Sequence, residues 1–143
     1  MITVAQYFGA KAHSAEQTQF AMDLLDRVNR LKVEAAADGA FCQQIDPDTG
    51  TEISGVRGGA GDGGFRLPTA TTGAGRSSHK EAKGVDSYDP DNALDKWLDK
   101  FESAGGANSK LKEYGLVREH PSATIGWCHL STRPVGTKQT FYP

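Results

Sequence analysis

The 143-residue sequence has no long hydrophobic run and no recognisable export signal. Because no stretch of 18 or more apolar residues occurs, we expect no membrane-spanning helix and no membrane partner. The opening MITVAQYFGAKAHSAEQ lacks the basic region and the apolar region of a secretory signal peptide. We therefore expect a protein that is made and kept in a cytoplasm unless something else releases it.

Cysteine is also scarce. Cys42 and Cys128 are the two cysteines of the chain, and two cannot build a disulfide framework. Their separation fits no Cys-x-x-Cys zinc or redox motif. We interpret both as structural thiols, and a bridge between them is the less favoured alternative.

Positive and negative charges nearly balance, because the formal net charge is only -2. This balance gives no electrostatic reason to expect a nucleic acid or an anionic membrane as partner. Hydrophobic residues make up 37% and charged residues 24% of the chain, which is ordinary for a soluble globular protein. The length suits one domain over residues 1–143, and we expect a monomer.

Two segments have the apolar spacing of amphipathic helices. From Ser14 to about Asp38 the spacing is helical, Ser14 with Gln17 forms a capping-box pattern, and Gly39 marks the end. The second helix follows the DPDN stretch, with Asp89 as cap, Pro90 in the first turn and an end at the two glycines 105 and 106. Its apolar residues have i, i+3, i+4, i+7 spacing and are Leu94, Trp97, Leu98 and Phe101.

Short strands are predicted between and after these helices. TEISGVR and GGFRLP are typical of strands that bracket a turn, and GLVRE and TIGWCHLST are typical of strands after a short helix that ends at Gly115. The order of helices and strands predicts an α+β fold, with an antiparallel sheet and helices packed on one side.

The middle of the chain, from Gln43 to Lys83, is dense in Gly, Asp, Ser and Thr. Loops of this kind often carry functional groups on a scaffold, although a flexible insert is the alternative. RSSHKEAKGVDSY contains His79 and Asp86 with six residues between them. Strand alternation in TIGWCHLST places His129 on one face and Cys128 on the other. Two imidazoles and one carboxylate suit a zinc ion with an open fourth position, so we predict that His79, Asp86 and His129 are metal ligands.

The succession GGFRLP, SSHKEAKGVD and GWCHL resembles the M15 group of zinc peptidases, the DD-carboxypeptidases and phage endolysins with the hedgehog-like fold. The resemblance spans roughly residues 65–130. It implies a Zn²⁺ cofactor, a single DD-peptidase-like domain and a peptidoglycan peptide as substrate. It also implies that His79, Asp86 and His129 match the ligands. Arg66 matches an arginine that holds a substrate or oxyanion group, and Ser77 matches the serine two places before the first ligand.

The sequence departs from the family pattern at two places. Ala82 and Gly84 occupy positions where the family has a glycine and then another small residue, which exchanges one small residue for another. The family general base is commonly an acidic residue three places before the last histidine, where this chain has Gly126. A base is needed to move a proton from water to the leaving amine, and we predict Glu119 for it. Weaker candidates are His120 and Glu81.

Two hypotheses follow from these residues. The first is a zinc peptidase of phage origin that acts on the bacterial cell wall from the host cytoplasm or the virion. The second is a catalytically inactive zinc-containing module that binds peptide or stabilises a virion, with a fourth ligand such as Cys128, His120 or His13. Because Cys128 is expected to point away from His129, we favour the enzyme.

Overall fold

The structure is a computed structural model that describes residues 1–40, 55–57, 63–71 and 76–143. The fold is α+β, with helices α1 (Val4–Phe8), α2 (Ala15–Ala37), α3 (Ala93–Asp99) and α4 (Ser109–Tyr114). The strands are β1 (Gly84–Tyr88), β2 (Val117–Glu119), β3 (Trp127–Ser131) and β4 (Thr140–Phe141). Cys42 and most of TEISGVR lie outside the described residues. No helix in the described part is both long and apolar enough to span a bilayer.

The long helix α2 confirms its sequence prediction. The Ser14 hydroxyl accepts a hydrogen bond from the Gln17 N–H, and the Gln17 side chain accepts one from the Ser14 N–H. The helix stops before Gly39, whose φ of 75° favours glycine. Its apolar stripe is buried in a core shared with α3 and the sheet, and this core includes Leu24, Val28, Leu31, Leu94, Leu98, Val85 and Leu130.

Helix α3 begins later and ends earlier than its pattern predicts. Asn92 occupies the cap position, but the Asp89 carboxylate accepts hydrogen bonds from the N–H groups of Ala93 and Leu94, at 3.0 Å each. Asp89 therefore caps the first turn from outside the helix. The helix stops at Asp99. The chain then continues as single hydrogen-bonded turns before it reaches the glycines at 105 and 106.

The four-stranded sheet is mixed, with the order β1-β3-β2-β4. Strand β3 is antiparallel to both β1 and β2, but β4 runs parallel to β2. The prediction of an antiparallel sheet is therefore wrong at this edge. The Gln139 N–H donates to the Gly106 carbonyl, and the Gln139 carbonyl accepts from the Arg118 N–H of β2. The C-terminal stretch therefore runs beside β2 in the same direction.

The predicted strand in GGFRLP is also absent, although isolated hydrogen bonds hold its backbone. The Phe65 N–H donates to the Tyr7 carbonyl, and the Arg66 N–H donates to the His79 carbonyl. In TEISGVR, Val56 forms an isolated bridge with Ser87 on the outer edge of β1. These contacts hold Val56 against β1, and Phe65 and Arg66 against the backbone of Tyr7 and His79, without extending the sheet.

The two faces of the sheet have different surroundings. One face is fully covered by the core, and Arg118 of β2 lies on it with only 1% of its surface exposed. Its guanidinium bonds Asp95 at 2.9 Å and Asp99 at 2.6 Å, which ties β2 to helix α3. The other face carries the predicted ligands and lines a cleft.

Candidate metal centre

Three donor atoms meet at the predicted metal site. His79 Nε2 lies 3.2 Å from Asp86 Oδ1 and 3.2 Å from His129 Nδ1, and His129 Nδ1 lies 2.8 Å from Asp86 Oδ1. We call these three residues the metal triad. Four ligands about 2.0–2.1 Å from a zinc ion in a tetrahedron are separated from one another by about 3.3–3.4 Å. The triad is therefore close to the spacing of three corners of such a tetrahedron, and it could hold a metal ion.

Local structure explains how the first two members reach this point. A single 3₁₀ turn, Ser78–Glu81, carries His79, and the Ser77 hydroxyl accepts a bond from the His79 N–H at the start of the turn. The next residue after this turn, Ala82, has a φ of 58°, which reverses the chain into β1. Asp86 then follows on β1, and its register partner on β3 is His129.

The outward nitrogen of each imidazole also has a partner. His79 Nδ1 lies 2.8 Å from the Gly64 carbonyl, which can only accept, so Nδ1 carries the hydrogen and Nε2 presents a lone pair to the site. His129 Nε2 lies 3.3 Å from the Ser78 hydroxyl, which leaves Nδ1 toward the site. Such outer partners orient metal-binding histidines. Neither partner is predictable from the sequence, because neither Gly64 nor Ser78 is a residue type that binds zinc.

Glycine is required at position 84 by this arrangement. A Cβ at that position would lie 2.2 Å from Ser78 Oγ and 3.2 Å from His129 Cε1. The Gly84 carbonyl also accepts a hydrogen bond from the Tyr7 hydroxyl at 2.8 Å, which holds this end of β1 in place. The absent side chain therefore provides the space in which Ser78 contacts His129.

Burial and hydrogen bonding set the charges of the triad. Burial lowers the pKa of His79 below its ordinary value, which favours the neutral imidazole that a metal needs. Burial alone would raise the pKa of Asp86, but the adjacent His129 and His79 imidazoles outweigh it and hold this pKa well below the usual range. Arg66 adds a positive charge, with Nη2 at 3.6 Å from Asp86 Oδ2. The triad thus combines a carboxylate with at least one neutral imidazole.

Glu119 lies on the same face of the sheet as the triad. Arg118 pairs with Leu130 in the β2–β3 register, so continuing this antiparallel register by one residue puts Glu119 opposite His129. Opposite residues share a face, with Cβ atoms about 4.5–5.5 Å apart. Glu119 lines the cleft, and its side chain has no hydrogen bond or ion pair with any residue the structure describes. Its carboxylate is available to a ligand in the cleft.

The other candidates lie elsewhere. Cys128 is buried in the core, and its Sγ is 3.4 Å from Asp95 Oδ1. Burial raises the pKa of this thiol well above its ordinary value, which keeps it protonated. His13 stacks on Phe8, His120 stacks on Tyr142, and Glu81 pairs with Arg133. Within the described residues, the metal-binding group thus consists of the triad alone.

The cleft above the triad has a volume of about 440 Å³. Besides the triad and Glu119, it is lined by aromatic residues of β3 and β4 and by four arginines, which are Arg57, Arg66, Arg76 and Arg133. Of these four arginines, Arg66 alone is predicted from the sequence. The cleft can therefore take a ligand that carries negative charge beside the metal position.

Comparison with protein-family models, curated proteins and solved structures gave no match for this chain.

Proposed function

We propose that this chain is a zinc-dependent peptidase that hydrolyses peptide bonds in bacterial peptidoglycan. The observation that carries the proposal is the convergence of three donor atoms, 2.8–3.2 Å apart, at the base of a cleft that Glu119 also lines. The triad supplies the metal ligands, Glu119 the general base and Arg66 the group that orients substrate.

The donor set supports zinc. Two imidazole nitrogens and one carboxylate oxygen are borderline ligands that zinc accepts, and catalytic zinc sites commonly combine three protein ligands with an open position. His13, His120 and Cys128 lie outside the metal-binding group, so none of these three closes the fourth position. When bound, zinc would supply Lewis-acid chemistry, which lowers the pKa of water and polarises a carbonyl.

The chain's own residues then handle protons and orientation. A Glu119 carboxylate oxygen takes a proton from the attacking water as its oxygen bonds to the peptide carbon. The same carboxylate returns the proton to the amine nitrogen as the C–N bond breaks, so that a carboxylate and an amine are released. Arg66, beside Asp86, presents planar N–H donors to a carboxylate or carbonyl of the substrate.

Two features support peptidoglycan as the substrate. The order of GGFRLP, SSHKEAKGVD and GWCHL resembles peptidases that cut cell-wall peptides. The four arginines of the cleft suit stem peptides, which carry free carboxylates. On this proposal the chain is phage-derived, acts as a monomer, and reaches the wall from the host cytoplasm or the virion.

The test is incubation of the zinc-loaded protein with purified peptidoglycan, followed by mass spectrometry of newly released amino groups. We expect release by the wild type and none by the His129→Ala variant. The matched control is His13→Ala, because His13 is an exposed histidine that lies outside the triad. We expect this control to retain both zinc and release.

Zinc binding without hydrolysis would refute the proposed peptidase activity. If the wild type binds one zinc per chain but releases no amino groups from walls of several cross-link types, the catalytic proposal is wrong. The zinc-containing binding or structural module then replaces it. If the wild type binds no zinc at all, both hypotheses fail.

A further inference from the structure

The cleft contains an arginine held in a fixed orientation at one end. The Arg57 guanidinium carbon lies 3.7 Å from the centre of the Trp127 ring, which is a stacking distance. Both side chains line the cleft, and both are half-buried. Stacking covers a face of the guanidinium and leaves the N–H groups of its edge available, so the arginine presents a planar fork to the cleft.

Arg57 differs from the other cleft arginines in its partners. Arg66 lies beside the Asp86 carboxylate, and Arg133 Nη1 bonds Glu81 Oε2 at 3.1 Å. Arg76 is exposed. Among the residues that the structure describes, no carboxylate pairs with Arg57. Within the described part of the chain, its positive charge therefore has no carboxylate partner, and the stacking on Trp127 already sets its orientation.

The backbone also holds Arg57 in place. Its N–H donates to the Asp86 carbonyl at 2.8 Å, and the preceding residue, Val56, bridges to Ser87. Trp127 is the register partner of Tyr88 on the adjacent strand. Arg57 is therefore fastened to the same strand that supplies a metal ligand, so little conformational entropy remains to be lost when it binds an anion.

We propose that Arg57, stacked on Trp127, is a binding site for a second carboxylate of the peptide substrate, separate from the group that Arg66 orients. This inference rests on the proposed function, because it assigns the substrate class of the same cleft. Its ligand is a peptide with an acidic group on one side of the bond that is cut. A planar fork and a carboxylate form two parallel hydrogen bonds.

The register of β3 indicates where the acidic group lies along the peptide. Trp127 and His129 are two residues apart on one face of the strand, which corresponds to roughly 7 Å. An extended peptide advances about 3.3 Å per residue, so the second carboxylate is expected roughly two residues from the cut bond.

The test compares two soluble stem pentapeptides that differ at one group. In one the glutamyl residue has a free α-carboxylate, and in the other this group is a carboxamide. Affinities are measured by calorimetry on the full chain with a chelator present, so that turnover cannot consume the peptide. Trp127 fluorescence is followed in parallel, because the other tryptophan, Trp97, is only 2% exposed.

We expect the wild type to bind the carboxylate peptide about tenfold more tightly than the carboxamide, which corresponds to about 1.4 kcal/mol. Arg57→Gln should reduce this ratio to about one. It should also remove any difference in Trp127 emission between the complexes with the two peptides. Arg57→Lys keeps the charge without the planar fork, so it should retain only part of the ratio. Arg30→Gln is the matched control, because Arg30 also lies over an aromatic ring, that of Tyr114, but does not line the cleft, and it should keep the ratio.

The binding site is refuted if the wild type binds both peptides equally or neither of them, or if Arg57→Gln keeps the tenfold ratio. The two proposals can fail separately. Discrimination between the peptides without any wall hydrolysis refutes the peptidase and leaves the carboxylate site. If the protein hydrolyses both peptides and binds them with equal affinity, the carboxylate site is refuted and the peptidase remains.

Discussion

Replacement of Gly84 by alanine tests the packing behind the metal triad. The new Cβ would lie 2.2 Å from Ser78 Oγ and 2.9 Å from Ser78 Cβ. Rotation of the Ser78 side chain can relieve the first contact but not the second, because Cβ does not move when the side chain rotates. The 3₁₀ turn and β1 must therefore separate, or Ser78 must move toward His129.

The cost can be estimated from this geometry. Overpacking a well-packed interior costs about 1–3 kcal/mol, and we expect the upper half of that range because Tyr7 also holds the Gly84 carbonyl. For a domain of this size such a loss lowers the melting temperature by roughly 6–9 °C. Because Ser78 is the outer partner of His129, zinc affinity should also fall, by about 10- to 100-fold.

The assay is urea unfolding of the metal-free protein, together with zinc titration against a competing chelator. Gly55→Ala is the matched control, because the atoms nearest to a Cβ at position 55 belong to the Gln6 side chain and lie 3.7 Å or more away. We expect this control to change neither stability nor zinc affinity by a large amount. Wild-type stability and wild-type zinc affinity in Gly84→Ala would refute the contact between Ser78 and His129.

Three further predictions concern other parts of the molecule. Alanine in place of any member of the triad should abolish stoichiometric zinc binding, and full zinc content in any of the three variants would break that assignment. Glu119→Gln should keep the zinc and the fold but reduce hydrolysis by about 10²- to 10⁴-fold, and unchanged turnover would move the base elsewhere. Arg118→Met leaves the buried Asp95 carboxylate without its partner, so the free energy of unfolding should fall by about 3–5 kcal/mol in urea titrations, whereas a loss below 1 kcal/mol would contradict a buried ion pair.

The sequence predicts the residues of the triad because their signals are local. Alternation along TIGWCHLST separates His129 from Cys128, and the structure has Cys128 in the core and His129 in the cleft. Helix α2 is predictable for the same reason, since its cap and its apolar stripe lie within one continuous segment.

Strand β1 could not be predicted in this way. GVDSY has only two apolar residues and follows a polar stretch, so its pattern indicates a loop. Its burial depends on pairing with β3, whose partner residues are 39–47 positions away, and on the backbone of Gly55–Arg57 at its other edge. The parallel pairing of β4 is equally non-local, because two residues carry too little pattern to indicate a strand.

The triad draws its members from two segments that are far apart in sequence. His79 and Asp86 flank the start of β1, whereas His129 comes from β3. An ion held by all three would join these strands only in the folded chain, because an unfolded chain does not keep the three donors together. Binding would then be linked to folding, and a free zinc concentration 100-fold above the dissociation constant would add about 2.7 kcal/mol to stability. The cellular supply of zinc would therefore regulate how long the chain survives proteolysis as well as whether it can act.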